Sequence, residues 1–299
     1  MRPTLQQLRV FDAVVRNGSI TRAAEELYLT QPAVSIQVKK LEALVGLPLL
    51  EQVGRRLHPT QAGRRVHASA RRVLTELEAL EESVVELKGV VKGELRIGVV
   101  TTAKYFMPHL LGAFVERHPQ VEPRLTVTNR AQVLARLQAN EDDLLIMGQV
   151  PEGLDVEAHP FLDNDLVVVA HAGHPLARER RIPMGRLCEE RFLVREQGSG
   201  TRLAIEAVMA ERGQAIEPYM ELGDSEAIKH GILAGLGISV MSRHNIRLEL
   251  EAGSLVILDV EGFPLRRKWY AVHPRTKKLS LTARTFLDFI LTRAGTVLS

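Results

Sequence analysis

The chain has 299 residues, 45% of them hydrophobic and 25% charged, which suits one large globular domain or two to three smaller ones. Aromatics at 4% exclude a broad stacking platform for single-stranded bases, and a single cysteine, Cys188, excludes an internal disulfide framework and a multi-cysteine zinc site. The net charge of +3 is unevenly placed: residues 1–66 carry +5 while 67–92 and 93–299 carry −1 each, so the positive excess marks an N-terminal polyanion-binding module.

Leu5, Leu8, Phe11, Val14 and Val15 follow helical spacing and predict a first helix ended by Gly18. Ser19 is an N-cap for a second, short helix whose inner face is Ile20, Ala23, Ala24 and Leu27; Tyr28 and Leu29 form the break. Thr30 is the next N-cap candidate. Pro32 falls in the first turn of the third helix, where a missing N–H costs nothing. Val34, Val38, Leu41 and Leu44 give that helix its buried face, and Gly46 closes it. Two helices joined by so short a turn make a helix-turn-helix. The outer face of the third helix carries Gln31, Ser35, Gln37, Lys39 and Lys40. Gln can bond adenine edges, Ser can bond bases or phosphate, and the lysines suit phosphate.

An ordinary helical hairpin with a solvated polar face has the same pattern. The stretch "LPLLEQVGRRLHPTQAG" (47–63) separates the two readings: Leu49, Leu50 and Leu57 flank a Gly54 turn bearing Arg55 and Arg56. This predicts a small β-hairpin with a basic tip, a wing suited to phosphate or the minor groove of double-stranded DNA.

From Thr60, a possible cap, no proline follows until Pro108. Val66, Ala70, Val73, Leu77, Leu80, Val84, Leu87 and Val91 alternate steps of four and three, a heptad seam on a rod of about 45 Å. An exposed seam of this kind is costly, which predicts a homodimer through Val73, Leu77, Leu80, Val84 and Leu87. The alternative is a helix packed on its own domain, with Leu74 beside the seam making that contact.

Gly89 and Gly93 bracket a hinge. "ELRIGVV", "VEPRLTVT" and "DLLIMG" then alternate as strands with the helices "TTAKYFMPHLLGAFVERHP" and "AQVLARLQAN", predicting a parallel sheet covered by helices. "LVVVAHAGHPLA" and "RFLVRE" (strands), "TRLAIEAVMAERG" (helix) and "SEAIKHGILAGLGISVMS" (helix into strand) predict a second βα series. "LEAGSLVILDV", "KWYAVH" and "LTARTFLDFILTRA" complete it as strands and a helix. The expected architecture is two α/β lobes with a ligand cleft beyond the carboxyl ends of the strands. Two loops have the make-up of anion sites at helix starts. One is Thr101-Thr102 with Lys104 one turn in. The other is "REQGSGTR", with Arg195, Ser199, Gly200, Thr201 and Arg202; Gly198 and Gly200 let backbone approach a ligand. Arg130, after "RLTVTN", adds charge. Plain helix capping would use the same residue types.

The segments "F-D-A-V-V", "G-S-I-T-R-A-A-E-E-L", "T-Q-P-A-V-S-I-Q-V-K-K-L-E" and "H-P-T-Q-A-G" together resemble the N-terminal domain of LysR-type transcriptional regulators over about sixty residues. The resemblance implies base- or backbone-contacting roles for Gln31, Pro32, Ser35 and Gln37, and wing roles for Arg55 and Arg56. Ile36, Gln52 and Pro59 depart from the family pattern, and Ile36 could touch thymine methyls. Further on, "HPLA" (placed between the lobes), "REQGSGTR" and "GLGISVMS" look like the family's effector-binding domain. "TTAKYFMPHLLGAFVERHP", "NEDDLLIMGQVPEGLDVEAHPF", "FLVREQGSGTR" and "KWYAVH" look like the branch that controls carbon-dioxide-fixation operons. That branch implies an effector that is a phosphorylated metabolite or a nicotinamide nucleotide. The implied organisation is a winged helix-turn-helix in an otherwise all-α N-terminal domain (1–60), a linker and dimerisation helix (61–91) and a two-lobed α/β, periplasmic-binding-protein-like effector domain (92–299).

The rival class is an enzyme acting on a phosphorylated metabolite with "GSGT" as phosphate loop. No H-E-x-x-H, G-x-S-x-G or Walker lysine accompanies it, and no catalytic residue, metal ligand set or cofactor is expected. His171 and His174 are joined by no further ligand pattern, and His174 reads as part of an interlobe turn. Glu141, Asp142 and Asp143 read as a solvated helix end, and Cys188 as structural filler. No apolar run approaches the ~18 residues of a membrane span. Asp12, Arg16 and Asn17 interrupt any secretory apolar region, so a cytoplasmic location is expected. The expected mechanism is a population shift. An anion bridging the lobes favours one arrangement of a dimer or tetramer on DNA, altering bending and contact with RNA polymerase.

Overall fold

The computed structural model describes residues 3–54, 56–86 and 90–298, the side chains of 75 and 78–86 excepted. Arg55, Leu87 and Gly89 lie outside the described residues, as do the side chains of Leu80 and Val84. The chain divides into two compact units, Met1–Gly89 and Val90–Ser299.

The first unit comprises α1 (Leu5–Asn17), α2 (Ile20–Glu26), α3 (Gln31–Val45), the hairpin β1 (Leu50–Val53) and β2 (Arg56–Pro59), and α4 (Gln61–Glu86). A capping box of Thr4 and Gln7 opens α1, and Gly18, at φ 60°, closes it in the left-handed conformation that glycine tolerates. Helix α1 is apolar on two sides. Val10, Ala13 and Val14 pack with Ala23, Ala24, Val34 and Val38, while Leu8 and Phe11 pack with Leu41, Leu49 and Ala70. The second cluster also draws in Val66 and Leu74. The start of the predicted seam therefore belongs to this unit's own core, whereas Val73 is 46% exposed. Leu44 is also exposed, and Val45 takes its expected place in the core, because α4 and β1 lie on the Val45 side of α3.

Gly63 sits where α4 crosses the hairpin. A Cβ there would lie 2.0 Å from the Leu49 carbonyl oxygen, so the close approach requires glycine. The Thr60 hydroxyl accepts from the Gly63 N–H at 3.0 Å and donates to the Pro48 carbonyl at 2.8 Å.

In the second unit β3 (Gly93–Val100), α5 (Met107–Arg117), β4 (Val121–Thr128), α6 (Arg130–Ala139), β5 (Leu144–Met147) and β6 (Val156–Asp163) build most of the first lobe. The second lobe holds β7 (Leu166–His171), β8 (Phe192–Arg195), α7 (Gly200–Ala210), β9 (Pro218–Leu222), α8 (Ser225–Leu233), β10 (Ser239–Ser242), α9 (Arg247–Glu251) and β11 (Leu255–Ile257). β12 (Lys268–Pro274) and α10 (Leu281–Leu298) return to the first. The first sheet has the order β4-β3-β5-β12-β6, with β4 and β5 parallel to β3 and β12 antiparallel to both β5 and β6. Trp269, Ala271, Phe106, Phe114 and Phe286 form the core under α5 and α10; Val133, Leu137 and Val272 form the smaller core under α6. In the second lobe β7 lies antiparallel between β10 and β11, and β8 pairs in parallel with β9.

Several expectations need correction. The second lobe is not a simple βα series, and β6 and β9 escape the pattern because their residues are half-buried or exposed. "HPLA" follows β7 inside the second lobe, where the His174 ring caps the turn Pro175–Arg178 by accepting from the Leu176 N–H at 3.3 Å. The chain passes between lobes elsewhere, at 163–166 and 265–268. These crossovers hydrogen-bond to each other: Asn164 N–H to Arg267 O at 2.8 Å, Leu166 N–H to Leu265 O at 3.0 Å and the reverse at 2.9 Å. Asp142 and Asp143 are buried, not solvated. Asp142 takes two bonds from Arg136 at 2.7 Å, and Asp143 accepts the Arg96 N–H at 2.7 Å. Burial pushes the Asp143 carboxyl above its usual range, against the pull of Lys277 and Arg96. Cys188 is exposed.

Candidate functional site

Two surfaces collect the residues singled out above. On the first unit, α3 is held by Val34, Val38 and Leu41, and its opposite side carries Gln31, Pro32, Lys39 and Lys40 exposed, with Ser35 and Gln37 half-buried. Ile36 stands among them, 51% exposed. Thr30 starts α3 without a side-chain cap bond. Arg56 is exposed at the start of β2, where the register pairs it with Val53. Tyr28, at φ 55° in the turn before α3 and 97% exposed, was read from sequence only as a break. Nothing in its spacing distinguishes an exposed ring from a packed one.

Three acids of this unit, Asp12, Glu26 and Glu42, are turned to structural use. Asp12 binds Arg16 at 2.9 Å and His67 at 2.8 Å, tying α1 to α4. Burial would raise the Asp12 carboxyl, but the hydrogen bonds from His67 and Arg16 outweigh it and hold the group below its usual value. Glu26 likewise binds Arg16 and Asn17, and Glu42 accepts the Leu49 N–H at 2.8 Å.

In the second unit Thr101, Thr102, Arg130, Arg195, Ser199, Gly200 and Thr201 all line one cavity, partly open to solvent, between the lobes. Lys104 and Arg202 do not line it. Lys104 reaches across the lobes to Asp224 at 3.0 Å. Arg202 binds Glu206 and Glu221 and donates to the Arg195 carbonyl at 3.0 Å, so it holds the loop from behind. Sequence reasoning missed Gln149, Asn164, Glu196, Arg267 and Trp269. Gln149 lies two residues past the end of β5 and obeys the carboxyl-end rule, so it could have been found. Asn164 and Arg267 sit in the crossovers, whose pairing has no local signature.

Arg195 is 5% exposed and already occupied. It pairs bidentately with Glu196 at 2.7 and 2.9 Å, and donates to Thr101 Oγ1 at 3.0 Å and Ser225 Oγ at 2.9 Å. It thus joins the lobes at the cavity wall. Arg130 and Arg267 are different. Arg130 Nε is buried with no hydrogen-bond partner among the described residues, as are Gln149 Oε1, Asn164 Oδ1 and Trp269 Nε1. Arg267 donates to the Gly200 carbonyl at 2.9 Å. Burial lowers the Arg267 guanidinium below its usual value; Tyr270 opposes this and neighbouring Arg130 adds to it. Two adjacent cations with incomplete compensation are what an anion relieves. The α7 N-terminus adds to this, since the Ser199 side chain makes no cap bond there.

Comparison with known proteins gives a consistent result. Residues 5–64 match the family described as bacterial regulatory helix-turn-helix protein, lysR family, and residues 88–295 match the LysR substrate binding domain. A RuBisCO operon transcriptional regulator from Allochromatium vinosum is 50% identical over 99% of this chain and 98% of its own length. The regulatory domain of CcmR from Synechocystis PCC6803, solved in complex with 2-PG, is 46% identical. It covers 67% of this chain and 97% of its own, with a TM-score of 0.65. Full-length OxyR from Pseudomonas aeruginosa, 22% identical, shares the fold over 99% of this chain and 95% of its own with a TM-score of 0.77.

Proposed function

The chain belongs to the LysR family of DNA-binding transcriptional regulators, and from that premise we propose that it controls carbon-fixation genes in response to a small phosphorylated metabolite held between the lobes of its second unit. The observation that carries the effector reading is the Arg130–Arg267 pair, with unpartnered polar atoms of Gln149, Asn164 and Trp269 around the same cavity. A phosphate would accept from both guanidiniums and from the α7 N-terminus, and a second acidic group could engage Thr101 or Thr102 on the facing wall. The relatives named for RuBisCO operon control and the 2-PG complex support the gene class and the ligand class.

Ligand binding can shift the lobes only by its differential affinity for their arrangements. Arg195 and the Lys104–Asp224 pair, which cross between lobes, are the contacts such a shift would remake. The output is read by Gln31, Pro32, Ser35 and Gln37 on base edges or backbone and by Lys39, Lys40, Arg55 and Arg56 on phosphate. The exposed Val73 and half-buried Leu77 support pairing of two chains along α4.

The test is a gel-shift and DNA-bending assay on the promoter beside the gene, with 2-phosphoglycolate, a nicotinamide nucleotide and inorganic phosphate as separate additions. A ligand-dependent change in footprint or bend that Arg130→Ala removes is the expected result. No change with any of them would sink the effector reading.

A further inference from the structure

The cavity lies at one end of β6 and β12, where β6 leads into Asn164 and β12 starts beside Arg267. Towards the other end of the same two strands, three side chains with metal-binding chemistry meet. In the antiparallel register Glu157 faces His273 and His159 faces Ala271, so Glu157, His159 and His273 project from one face of the sheet. Their donor atoms all lie within 4.8 Å of one another. Glu157 Oε2 is 3.7 Å from His273 Nε2 and 3.8 Å from His159 Nε2, too long for hydrogen bonds.

We infer that Glu157, His159 and His273 form a binding site for a divalent transition-metal ion of the zinc class. Two nitrogens and one carboxylate oxygen suit Zn²⁺ or Co²⁺, whereas Mg²⁺ and Ca²⁺ prefer oxygen donors throughout. The buried His273 places Nδ1 3.0 Å from the Pro274 carbonyl. A carbonyl only accepts, so Nδ1 carries the proton and Nε2 presents its lone pair to the cluster, the orientation that metal-binding imidazoles adopt. His159 Nε2 is buried with no hydrogen-bond partner among the described residues, an orphaned atom that a metal would satisfy. The two rings stack with centroids 5.6 Å apart.

Bond lengths of about 2.0–2.1 Å require donor atoms ~3.3 Å apart, so the donor atoms, now within 4.8 Å of one another, must close by up to ~1.5 Å. Glu157 and His159 can supply that movement, because their side chains are 42% and 32% exposed, and water completes the coordination from the same side. The ion would staple the edge strand β6 to β12. The carbon-fixation reading is not needed for any of this.

The untagged full-length chain, stripped with a chelator, is titrated with Zn²⁺ by calorimetry and with Co²⁺ by visible absorption. One ion per chain is expected, with a ligand-field spectrum of a nitrogen- and oxygen-bound site and an unfolding midpoint that rises with metal concentration. His159→Gln and Glu157→Gln, both at half-exposed positions, are expected to weaken binding at least about 100-fold, since loss of an orienting partner alone costs 10–100-fold. His171→Gln, outside the cluster, serves as the control and keeps full affinity. Absence of stoichiometric binding, or equal affinity in the chain and its two cluster variants, overturns the site. Because the readout is metal binding, failure here leaves the effector test standing, and the reverse also holds.

Discussion

The DNA-facing surface of the first unit and the interlobe cavity of the second are both proposed to receive anions, but by opposite means. On α3 and β2 the contacting groups are exposed or half-buried, and the nearby acids Asp12, Glu26 and Glu42 are engaged elsewhere. In the cavity Arg195 and Asn164 are buried and Arg130, Gln149 and Arg267 half-buried, and individual buried polar atoms of Arg130, Gln149 and Asn164 have no partner among the described residues. A polyanion can be held by many solvated charges, each worth little, with affinity that falls with salt. A small anion offers few contacts, so each must be desolvated and pre-placed. The DNA face should therefore degrade gradually on substitution and the cavity abruptly.

The sharpest way to break this contrast is at Arg130 and Arg267. Alanine at either is expected to cost about 2–5 kcal/mol of effector binding, measured by calorimetry, because a buried charge contact is lost. Ligand-free DNA affinity should stay unchanged. A loss below tenfold would mean that the cavity works like a surface. Next in size, Gly63→Ala should destabilise the first unit by about 1–3 kcal/mol through overpacking against Leu49, seen as a lower unfolding midpoint and weakened DNA binding. Effector affinity in the second unit is expected to survive it.

Gln31→Ala should erase about 1–3 kcal/mol of base discrimination at one operator position, read by a mutated-site binding series. Ala at Lys39, Lys40 or Arg56 should act on all sequences alike and reduce the slope of log affinity against log salt by ~0.9 each. If Gln31→Ala also changes that slope, the division between base-reading and phosphate-holding residues fails. The smallest effect is electrostatic. The folded Asp12 value lies below 3.8, so its contribution to stability is present above pH 3.8 and is lost as pH falls through the depressed value. Asp12→Asn should flatten acid unfolding of the first unit in that window only, followed by circular dichroism.

Much of the first unit was legible because its signals are local. Ser19, Gly18 and Gly46 mark helix ends by cap chemistry, and Val34, Val38 and Leu41 recur at helical period. Leu44 misled because an apolar residue three positions on and one four positions on fit the period almost equally. Only the position of α4 chose Val45. Seven of the predicted cavity residues converge because strand ends and helix starts are themselves local features. Lys104 and Arg202 have the same local signature, yet Asp224, Glu206 and Glu221 draw them away.

Sequence by itself determined where the first unit's three short helices start and stop, which end of the chain is basic and which strands end in polar loops, since each depends on neighbours within a few residues. It did not place the start of α5, which is Met107 after a short turn at Thr101–Tyr105, or find α9. Tertiary structure alone decided the rest. It brought Asn164 and Arg267 together at paired crossovers, buried Asp143 against the Arg96 N–H, and set Glu157 opposite His273 with His159 on the same face. Those outcomes depend on strand order and register, which join residues from dozens to more than a hundred positions apart and leave no periodic trace along the chain.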